Sequence, residues 1–365
     1  MGALTGVKVL DLSRMLPGPL CTWYLSGMGA LIDRIETPGS GDYTRHMPPF
    51  QDGVGVFFAA LNRGDRSCIL NLRKPEGVQA FRQLLGRYDV LVEGFRPGVM
   101  EKLGLVPDEL VSAFPQLVVA RITGFGQTGP WAFRPGHDIN YVGLAGLPGW
   151  NDNGVLPPAQ IADTSGALVA AMGICGALYQ REKTGRGQVL DVSLTEAALG
   201  VVGPHVSTLT AENRNAKPDG ELLSGMLPTY GVYQCMDGGW LTVGALEPKF
   251  QAALQATVGG ISRPELSAVF RTKSRDEWVA ILDGACVGPS LGVSELADHP
   301  QHMARGALMR CGHTSFVVPP FSDDHWKAGA VPKAGQHSRE ILREAGCSIR
   351  EVNQWLECGA VEINE

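Results

Sequence analysis

Two side chains that can exchange protons sit at loop edges in the middle of the chain. His137 follows Gly136 in the run Gly136–Tyr141, and Asp163 opens an apolar segment whose many small residues are typical of a buried helix. The pattern therefore predicts two titratable groups that are presented to a small ligand, as general acid and base chemistry requires.

The elements that must position these groups begin with an α/β pattern. Apolar strands are predicted at residues 7–12, 31–36, 66–72, 90–93 and 117–123, with helices at 20–28 and 75–85 among them. Strands rich in Val, Ile and Leu that alternate with helices predict a mostly parallel sheet, covered on both faces.

A glycine-rich loop and a buried helix follow the last of these strands. The loop holds Gly124 and Gly126, but its third glycine is misplaced for a dinucleotide-binding loop and Pro130 follows at once, so we interpret it as a flap over a ligand. From Gly166 to Arg181 nearly every residue is apolar, which predicts a helix that is buried all round. A strand at 189–194 and a helix from 196 towards 210 complete this part.

The composition changes near residue 211, and this change predicts two domains. Residues 1–210 are predicted to form the first part of a large α/β domain, 211–224 a polar linker, and 225–310 a small α+β domain. In the small domain, Met236–Gly238 predicts the turn of a β-hairpin. Residues 311–365 are expected to return to the large domain.

Overall composition excludes several classes of protein. A net charge of −6 and a pI near 5.8 argue against a nucleic-acid partner, because binding to phosphates requires a basic face. The eight scattered cysteines predict reduced thiols, with neither a disulfide framework nor a metal site. The first residues lack the plan of a signal peptide, and the apolar run 167–179 is too short to span a bilayer. We therefore expect a soluble cytoplasmic protein with no membrane insertion.

Short motifs along nearly the whole chain resemble the family III CoA transferases (CaiB/BaiF type) and, among them, most of all the α-methylacyl-CoA racemases. The motifs are Leu10–Ser13, Pro17–Pro19, Gly39–Asp42, Leu61–Gly64, Glu93–Gly98, Gly136–Tyr141, Thr184–Gln188, Ala245–Phe250 and Gly335–His337. The resemblance implies a Rossmann-like large domain, a small domain and an interlocked homodimer. It also implies active sites between the large domain of one subunit and the small domain of the other.

Two branches of this family remain open, and three residues bear on the choice. Asp163 falls at the position of the transferases' nucleophilic aspartate, but the racemases also carry an aspartate there. The surroundings of His137 and Glu247 look racemase-like, where a histidine supported by a glutamate of the small domain faces the aspartate across the substrate's α-carbon. By contrast, Asp163–Ala167 looks more like a transferase.

The chemistry that the racemase resemblance implies suits these groups. Inversion of a 2-methylacyl thioester requires one group to remove the α-proton and another to deliver a proton to the opposite face. His137 can do either near neutral pH. Asp163 is expected to be ionised, because the helix dipole favours a carboxylate at a helix start, and backbone N–H groups there are expected to be available to the enolate oxygen.

Each of these residues also has a structural interpretation. Asp163 could be the N-cap of a buried helix, His137 a loop histidine bonded to Asp138, and Glu247 an ordinary residue at a helix start. Asp138 is interpreted as an orienting partner or a cap. The candidates for binding coenzyme A are Arg63, Arg73, Arg96, Lys102, Gly124 and Gly126.

Two positions depart from the family's pattern. Thr37 stands where relatives often have an arginine that meets coenzyme A, and Asp33 stands where they have an apolar strand residue, which weakens the predicted strand. The leading hypothesis is a racemase or epimerase of 2-methylacyl-CoA thioesters with no cofactor beyond the CoA moiety and no metal. The alternatives are a CoA transferase and an acyl-CoA-binding homologue that has lost its chemistry.

Overall fold

The computed structural model describes residues 2–147, 158–217, 221–322 and 329–364. The strands are β1 (Lys8–Asp11), β2 (Leu31–Glu36), β3 (Phe50–Gln51), β4 (Val54–Gly55), β5 (Arg66–Leu70), β6 (Val90–Glu93), β7 (Val118–Thr123), β8 (Val189–Ser193), β9 (Tyr230–Gln234), β10 (Trp240–Gly244), β11 (Val287–Ser290), β12 (Leu308–Cys311), β13 (Thr314–Val317) and β14 (Val361–Glu362). The helices are α1 (Pro17–Gly27), α2 (Val56–Asn62), α3 (Pro75–Leu85), α4 (Val99–Lys102), α5 (Pro107–Ala113), α6 (Asp138–Leu144), α7 (Ile161–Thr184), α8 (Leu194–Ala211), α9 (Pro248–Val258), α10 (Arg263–Phe270), α11 (Arg275–Ile281), α12 (Pro300–Ala304), α13 (Ser338–Glu344) and α14 (Ile349–Glu357).

The chain divides into two compact units. Unit 1 comprises residues 1–147, 156–203 and 316–365, and unit 2 comprises residues 148–155 and 204–315. The division at residue 204 falls inside α8, whereas the predicted linker at 211–224 begins where α8 ends, and residues 218–220 of that linker lie outside the described residues.

Unit 1 is built on a seven-stranded sheet of the order β14-β5-β2-β1-β6-β7-β8. Every neighbouring pair is parallel except β14 with β5. Apart from β14 at the edge, this is the strand order of a Rossmann-like sheet, and the predicted α/β fold is confirmed.

Alternating residues of the strands face two separate cores, as a sheet that is covered on both faces requires. In β6, Val90 and Val92 pack towards α1 and α7, and Leu91 packs towards α3 and α14. Both cores draw on residues distant in sequence, and the C-terminal helices α13 and α14 contribute to the second one.

Asp33 does not weaken β2, and that prediction is wrong. The strand runs from Leu31 to Glu36, and Asp33 is buried within it. Its carboxylate accepts hydrogen bonds from Nε and Nη2 of Arg66 at 2.7 Å each. The ion pair offsets the desolvation that an unpaired carboxylate would suffer.

The small-residue helix α7 is longer than predicted and is not buried all round. Its inner face is formed by alanines and Ile174, but Leu168, Met172 and Tyr179 are 47%, 68% and 65% exposed. By length and composition alone α7 could cross a membrane, a test that the core helix of a globular domain also passes. Among the described residues, one apolar face of α7 is therefore exposed.

Unit 2 contains an antiparallel sheet of the order β11-β10-β9 with helices around it. The strands β9 and β10 form the predicted hairpin, and Trp240 pairs with Gln234 at its turn. The core of the unit includes Phe270 and Trp278, whose rings meet edge to face.

Candidate active site

The strand order creates a crevice at the carboxyl ends of β1 and β6. After β1, the strands β2 and β5 are added on one side of it. The next strand, β6, is added on the other side of β1, where β7 and β8 follow. Ligands of such sheets bind at this switch point. The loops after the two strands approach closely, because a Cβ on Gly94 would lie 3.6 Å from the Cβ of Ser13.

His137 lies on the same edge of the sheet, at the start of α6. It is exposed and extended, with φ −130° and ψ 174°, so α6 begins directly after it. Its backbone N–H donates to Oδ1 of Asn140 at 3.0 Å, which fixes the backbone of the residue. The exposed His137 is thus held at a defined helix start.

Asp163 is the third residue of α7 and is half-buried. The residue at the N-cap position is Gln160, so the interpretation of Asp163 as an N-cap is wrong. Asp138 takes the capping role: its Oδ1 accepts hydrogen bonds from the backbone N–H groups of Ala162, at 2.7 Å, and Asp163, at 3.0 Å. The residue next to His137 therefore ties α6 to the first turn of α7, so Asp138 is an orienting partner as predicted and is not bonded to His137.

The charge state predicted for Asp163 requires correction. Burial and the neighbouring Asp138 carboxylate raise the pKa of Asp163 from 3.8 to about 7. Removal from water and like-charge repulsion together outweigh the helix dipole. Asp163 is consequently poised to gain or lose a proton near neutral pH, where a general acid or base works best.

Three backbone N–H groups at the start of α7 already have hydrogen-bond acceptors. For these three, the expectation that they are available to an enolate oxygen is wrong. Those of Ala162 and Asp163 donate to Asp138, and that of Thr164 donates to the carbonyl of Gln160. A donor that is already hydrogen-bonded offers little further stabilisation to a developing negative charge.

Tyr141 connects α6 to the glycine-rich loop after β7. Its hydroxyl donates to the carbonyl oxygen of Gly136 at 2.6 Å, and its ring meets that of Phe125 edge to face. Burial and the Asp163 carboxylate raise the pKa of Tyr141 to about 12, and Arg96 acts in the opposite direction. Tyr141, Asp163 and Arg96 are therefore electrostatic neighbours at this edge of the sheet.

The two glycines that were predicted to bind coenzyme A have structural roles. A Cβ on Gly124 would overlap ring atoms of Tyr141, so only glycine leaves room for that ring. Gly126 has φ +83°, in the left-handed region that favours glycine. Next to it, the N–H of Gln127 donates to the carboxylate of Asp191. Whether this loop also covers a ligand stays a prediction.

The cationic candidates are dispersed. Arg96, in the loop after β6, and Lys102, at the end of α4, are exposed at the carboxyl end of the sheet, and Arg73 is exposed after β5. Arg63 instead precedes β5 at the opposite edge, where its guanidinium lies 4.6 Å from the ring centroid of Phe316. Of the four, only Arg96 directly follows a strand of the switch point, Lys102 follows it at the end of α4, Arg73 follows β5 two strands away from β1, and Arg63 lies at the opposite edge.

Glu247 belongs to unit 2. It is exposed, and α9 begins immediately after it at Pro248. Its backbone carbonyl accepts hydrogen bonds from Phe250 and Gln251 at 3.0 Å each. Its support of His137 stays a prediction.

Sequence reasoning missed a buried ionic cluster beneath the crevice. Arg34 of β2 is 1% exposed, and its guanidinium donates to Asp11 at 2.9 Å, to Asp42 at 3.4 Å and to Asn62. An arginine inside an apolar strand was the available signal, because buried charge requires partners. The cluster fixes the segments that follow β1 and β2, which form one wall of the crevice.

A second ion pair extends the cluster. Glu36 accepts hydrogen bonds from Arg45, at 2.8 and 2.6 Å, and from the hydroxyl of Ser67 at 2.6 Å. Burial alone raises the pKa of Glu36, but the hydrogen bonds and charge of Arg45 outweigh it and lower the pKa to about 2. Within the described ranges, no group of three or more His, Cys, Asp or Glu side chains could hold a metal ion.

Comparison with known proteins places this geometry among enzymes of coenzyme A thioesters. Residues 4–338 match the family model described as CoA-transferase family III. The chain is 33% identical over 398 residues to the alpha-methylacyl-CoA racemase of Homo sapiens, covering 100% of this chain and 98% of the relative. It is 32% identical over 382 residues to the acetyl-CoA:oxalate CoA-transferase of Acetobacter aceti, covering 94% and 96%.

Solved structures agree with the fold. A CAIB/BAIF family protein from Brucella suis superposes with a TM-score of 0.82 and 27% identity, covering 94% of this chain and 99% of that one. The chain is thus similar to both a racemase and a transferase.

Proposed function

Because this chain belongs to CoA-transferase family III, we propose that it is a racemase or epimerase of 2-methylacyl-CoA or related α-branched acyl-CoA thioesters. His137 and Asp163 act as the acid and base of a 1,1-proton transfer through an enolate. One removes the α-proton from one face of the carbon, and the other delivers a proton to the opposite face. Glu247 of the small domain supports His137.

One observation carries this proposal. The Asp138 carboxylate holds the first turn of α7 while the preceding residue, His137, starts α6. Two proton-exchanging groups are thereby anchored on two helices that are joined at their starts. A pKa near 7 for Asp163 supports reversible transfer, since a racemase must run in both directions at similar rates.

The substrate's coenzyme A moiety supplies the binding energy away from the reacting carbon. Arg96, Lys102 and Arg73 bind its phosphates, because exposed cations that follow the carboxyl ends of sheet strands can meet phosphate oxygens with charge-assisted hydrogen bonds. Of the four cations predicted to bind coenzyme A, Arg63 has the least support, because it lies at the opposite edge of the sheet. Proton transfer of this kind requires neither a metal nor a redox cofactor.

The acting form is a homodimer with interlocked subunits, in the cytoplasm. What supports a dimer is the uncovered face of α7, where Leu168, Met172 and Tyr179 expose apolar area that a second copy can bury. The family resemblance supports the interlocked arrangement, in which Glu247 reaches the His137 of the partner.

Exchange of the α-proton with solvent tests the racemase proposal. We expect the enzyme, incubated with one enantiomer of a 2-methylacyl-CoA in D₂O, to incorporate deuterium at the α-carbon and to form the other enantiomer. His137→Ala and Asp163→Ala should each lower the rate by about 100-fold or more. His313→Ala, which alters an exposed histidine of unit 2, is the matched control and should leave the rate unchanged. No exchange by the wild type across acyl chains of different length would refute the proposal.

A CoA transferase is the second candidate. It is supported by the similarity to acetyl-CoA:oxalate CoA-transferase and by the Asp163–Ala167 sequence. Here the Asp163 carboxylate attacks the thioester carbonyl and expels the CoA thiolate, which leaves an acyl-aspartyl anhydride. The thiolate attacks the aspartyl carbonyl of this anhydride, which releases the acyl group as a free carboxylate and forms an aspartyl-CoA thioester. The acceptor carboxylate then attacks that thioester and expels the thiolate, and the thiolate attacks the acceptor's carbonyl in the second anhydride to give the new acyl-CoA and free Asp163. Hydroxylamine added during turnover with an acyl-CoA and a carboxylate acceptor would modify Asp163 in a transferase and leave it intact in a racemase.

A further inference from the structure

We propose that Asp138 is a positioning residue for this reaction: its carboxylate holds the first turn of α7 against the start of α6 and places a negative charge beside Asp163. This inference rests on the proposed acid and base roles of His137 and Asp163. It assigns to Asp138 no proton transfer of its own.

The first argument is the hydrogen-bond geometry. One oxygen of Asp138, Oδ1, serves two donors, the N–H groups of Ala162 and Asp163, at 2.7 and 3.0 Å. Among the described residues, α7 has no capping side chain from its own N-cap residue, Gln160. A helix start is stabilised when its unpaired N–H groups are satisfied, so Asp138 replaces a local cap from 24 and 25 residues away.

The second argument is that the α6 side of this link is itself held in place. The backbone N–H of His137 is bonded to Asn140, and the hydroxyl of Tyr141 is bonded to the carbonyl of Gly136. Asp138 lies between these two anchors on a single turn of helix. Its side chain therefore transmits the position of α6 directly to the backbone of Asp163.

The third argument is electrostatic. Asp138 is the charged side chain that acts on Asp163, and the effect adds to that of burial. Tyr141 of the same helix also faces Asp163, with Arg96 acting on Tyr141 from the loop after β6. The helix α1 also packs on α7, and its Cys21 has a pKa raised by burial, Asp11 and Cys175, the last about 18 Å from Asp163 along the axis of α7. In β7 and β8, Arg121 is paired with Glu93, and Asp191 binds the N–H of Gln127.

Two substitutions separate the two contributions of Asp138. Asp138→Asn keeps a side-chain oxygen that can accept both N–H groups but removes the charge, whereas Asp138→Ala removes both. Asp237→Asn is the matched control, because the Asp237 carboxylate likewise accepts from the N–H of Arg275 at the start of α11, in unit 2.

The test combines rates with a measurement that does not need turnover. The pH profile of kcat is recorded by α-proton exchange, and the Asp163 carboxyl is titrated by ¹³C NMR, assigned by its loss in Asp163→Asn. In Asp138→Asn we expect both midpoints to fall by about one pH unit, with KM unchanged. Asp138→Ala should show the same shift and a further loss in kcat of about 10-fold to 100-fold, because the reacting groups are displaced.

Unshifted midpoints in Asp138→Asn would overturn the electrostatic role, and full kcat in a folded Asp138→Ala would overturn the positioning role. A shift of equal size in Asp237→Asn would also contradict the inference. Should the wild type exchange no α-proton, the proposed function fails, yet the NMR titration still decides whether Asp138 acts on Asp163. The two failures are therefore distinguishable.

Discussion

The ring of Tyr141 packs directly on the backbone of Gly124, the first residue after β7. No side chain fits between them, because a Cβ on Gly124 would overlap ring atoms of the tyrosine. Because Tyr141 stands one turn after His137 on α6, this contact seats the helix at the carboxyl end of the central sheet. The contact makes Gly124 the point where the sheet positions the candidate catalytic groups.

Gly124→Ala should therefore displace α6 and lower activity. We expect kcat to fall by about 100-fold, as for other displacements of reacting groups by about 1 Å. The free energy of unfolding should fall by about 1–3 kcal/mol from overpacking. Exchange kinetics and urea unfolding measure the two effects. The control is Gly143→Ala in α6, where a Cβ would meet open space. Its free energy of unfolding should rise by about 0.5–1 kcal/mol. Wild-type activity in Gly124→Ala would contradict this role.

Asp163→Asn should make the protein more stable at neutral pH while it removes activity. The unfolded chain releases the Asp163 proton near pH 4, but the folded chain holds it to about pH 7. The free energy of unfolding of the wild type therefore falls as the pH rises between those values, and an asparagine avoids that fall. After a discount for partial exposure, the gain at pH 8 is roughly 1–2 kcal/mol.

Urea unfolding at several pH values checks this prediction. The stability difference between Asp163→Asn and the wild type should shrink towards zero below about pH 3, where the carboxyl is protonated in both the folded and the unfolded state. A constant difference at every pH would show that the gain has another cause.

Arg34→Met should destabilise unit 1 strongly. The substitution leaves the buried carboxylates of Asp11 and Asp42 without their cation, a situation that costs about 3–5 kcal/mol. Arg310→Ala breaks an ion pair whose partners are 59% and 65% exposed, and it should cost about 1 kcal/mol or less. Chemical unfolding measures the free energy of unfolding of both variants. An equal loss of stability in the two variants would argue against a structural role for the buried cluster.

Arg96→Ala should weaken substrate binding more than turnover. If Arg96 binds a phosphate of coenzyme A, we expect KM to rise by about tenfold or more and kcat to change little. The effect should shrink at high ionic strength, since the interaction is between charges. Arg339→Ala, at an exposed arginine of α13, provides the control. A large fall in kcat at unchanged KM would assign Arg96 to the chemical step instead.

Local patterns predicted most of the elements, because their causes are local. The spacing of apolar residues and the turn at Met236–Gly238 predicted the parallel strands of the large sheet and the hairpin of β9 and β10, but not the antiparallel edge strand β14. Similarly, the prolines at 17 and 75 stand in the first turns of α1 and α3, where a missing N–H has no consequence. Boundaries shifted by a few residues wherever packing extended a helix, as in α7.

The sequence named the residues of the candidate site, but it did not predict the contacts between them. His137, Asp163 and their motifs could be read from the sequence and its family resemblance. The bond from Asp138 to the start of α7 could not be predicted, since it joins residues 24 and 25 positions apart and no periodic pattern in the sequence between them indicates the contact. The raised pKa of Asp163 follows from burial and from the neighbouring charge of Asp138, whereas a local argument from the helix dipole predicted the opposite direction.

By itself, then, the sequence determined the type of fold and made His137 and Asp163 the candidate pair, because periodicity and residue chemistry act over a few residues. The tertiary structure decided which strands are neighbours, and thereby that Arg34 meets Asp11 and that α6 meets α7. It also decided that α7 exposes one apolar face and that Asp163 holds its proton to near neutral pH. Burial and charge pairing are properties of contacts between distant segments, and only the folded chain specifies them.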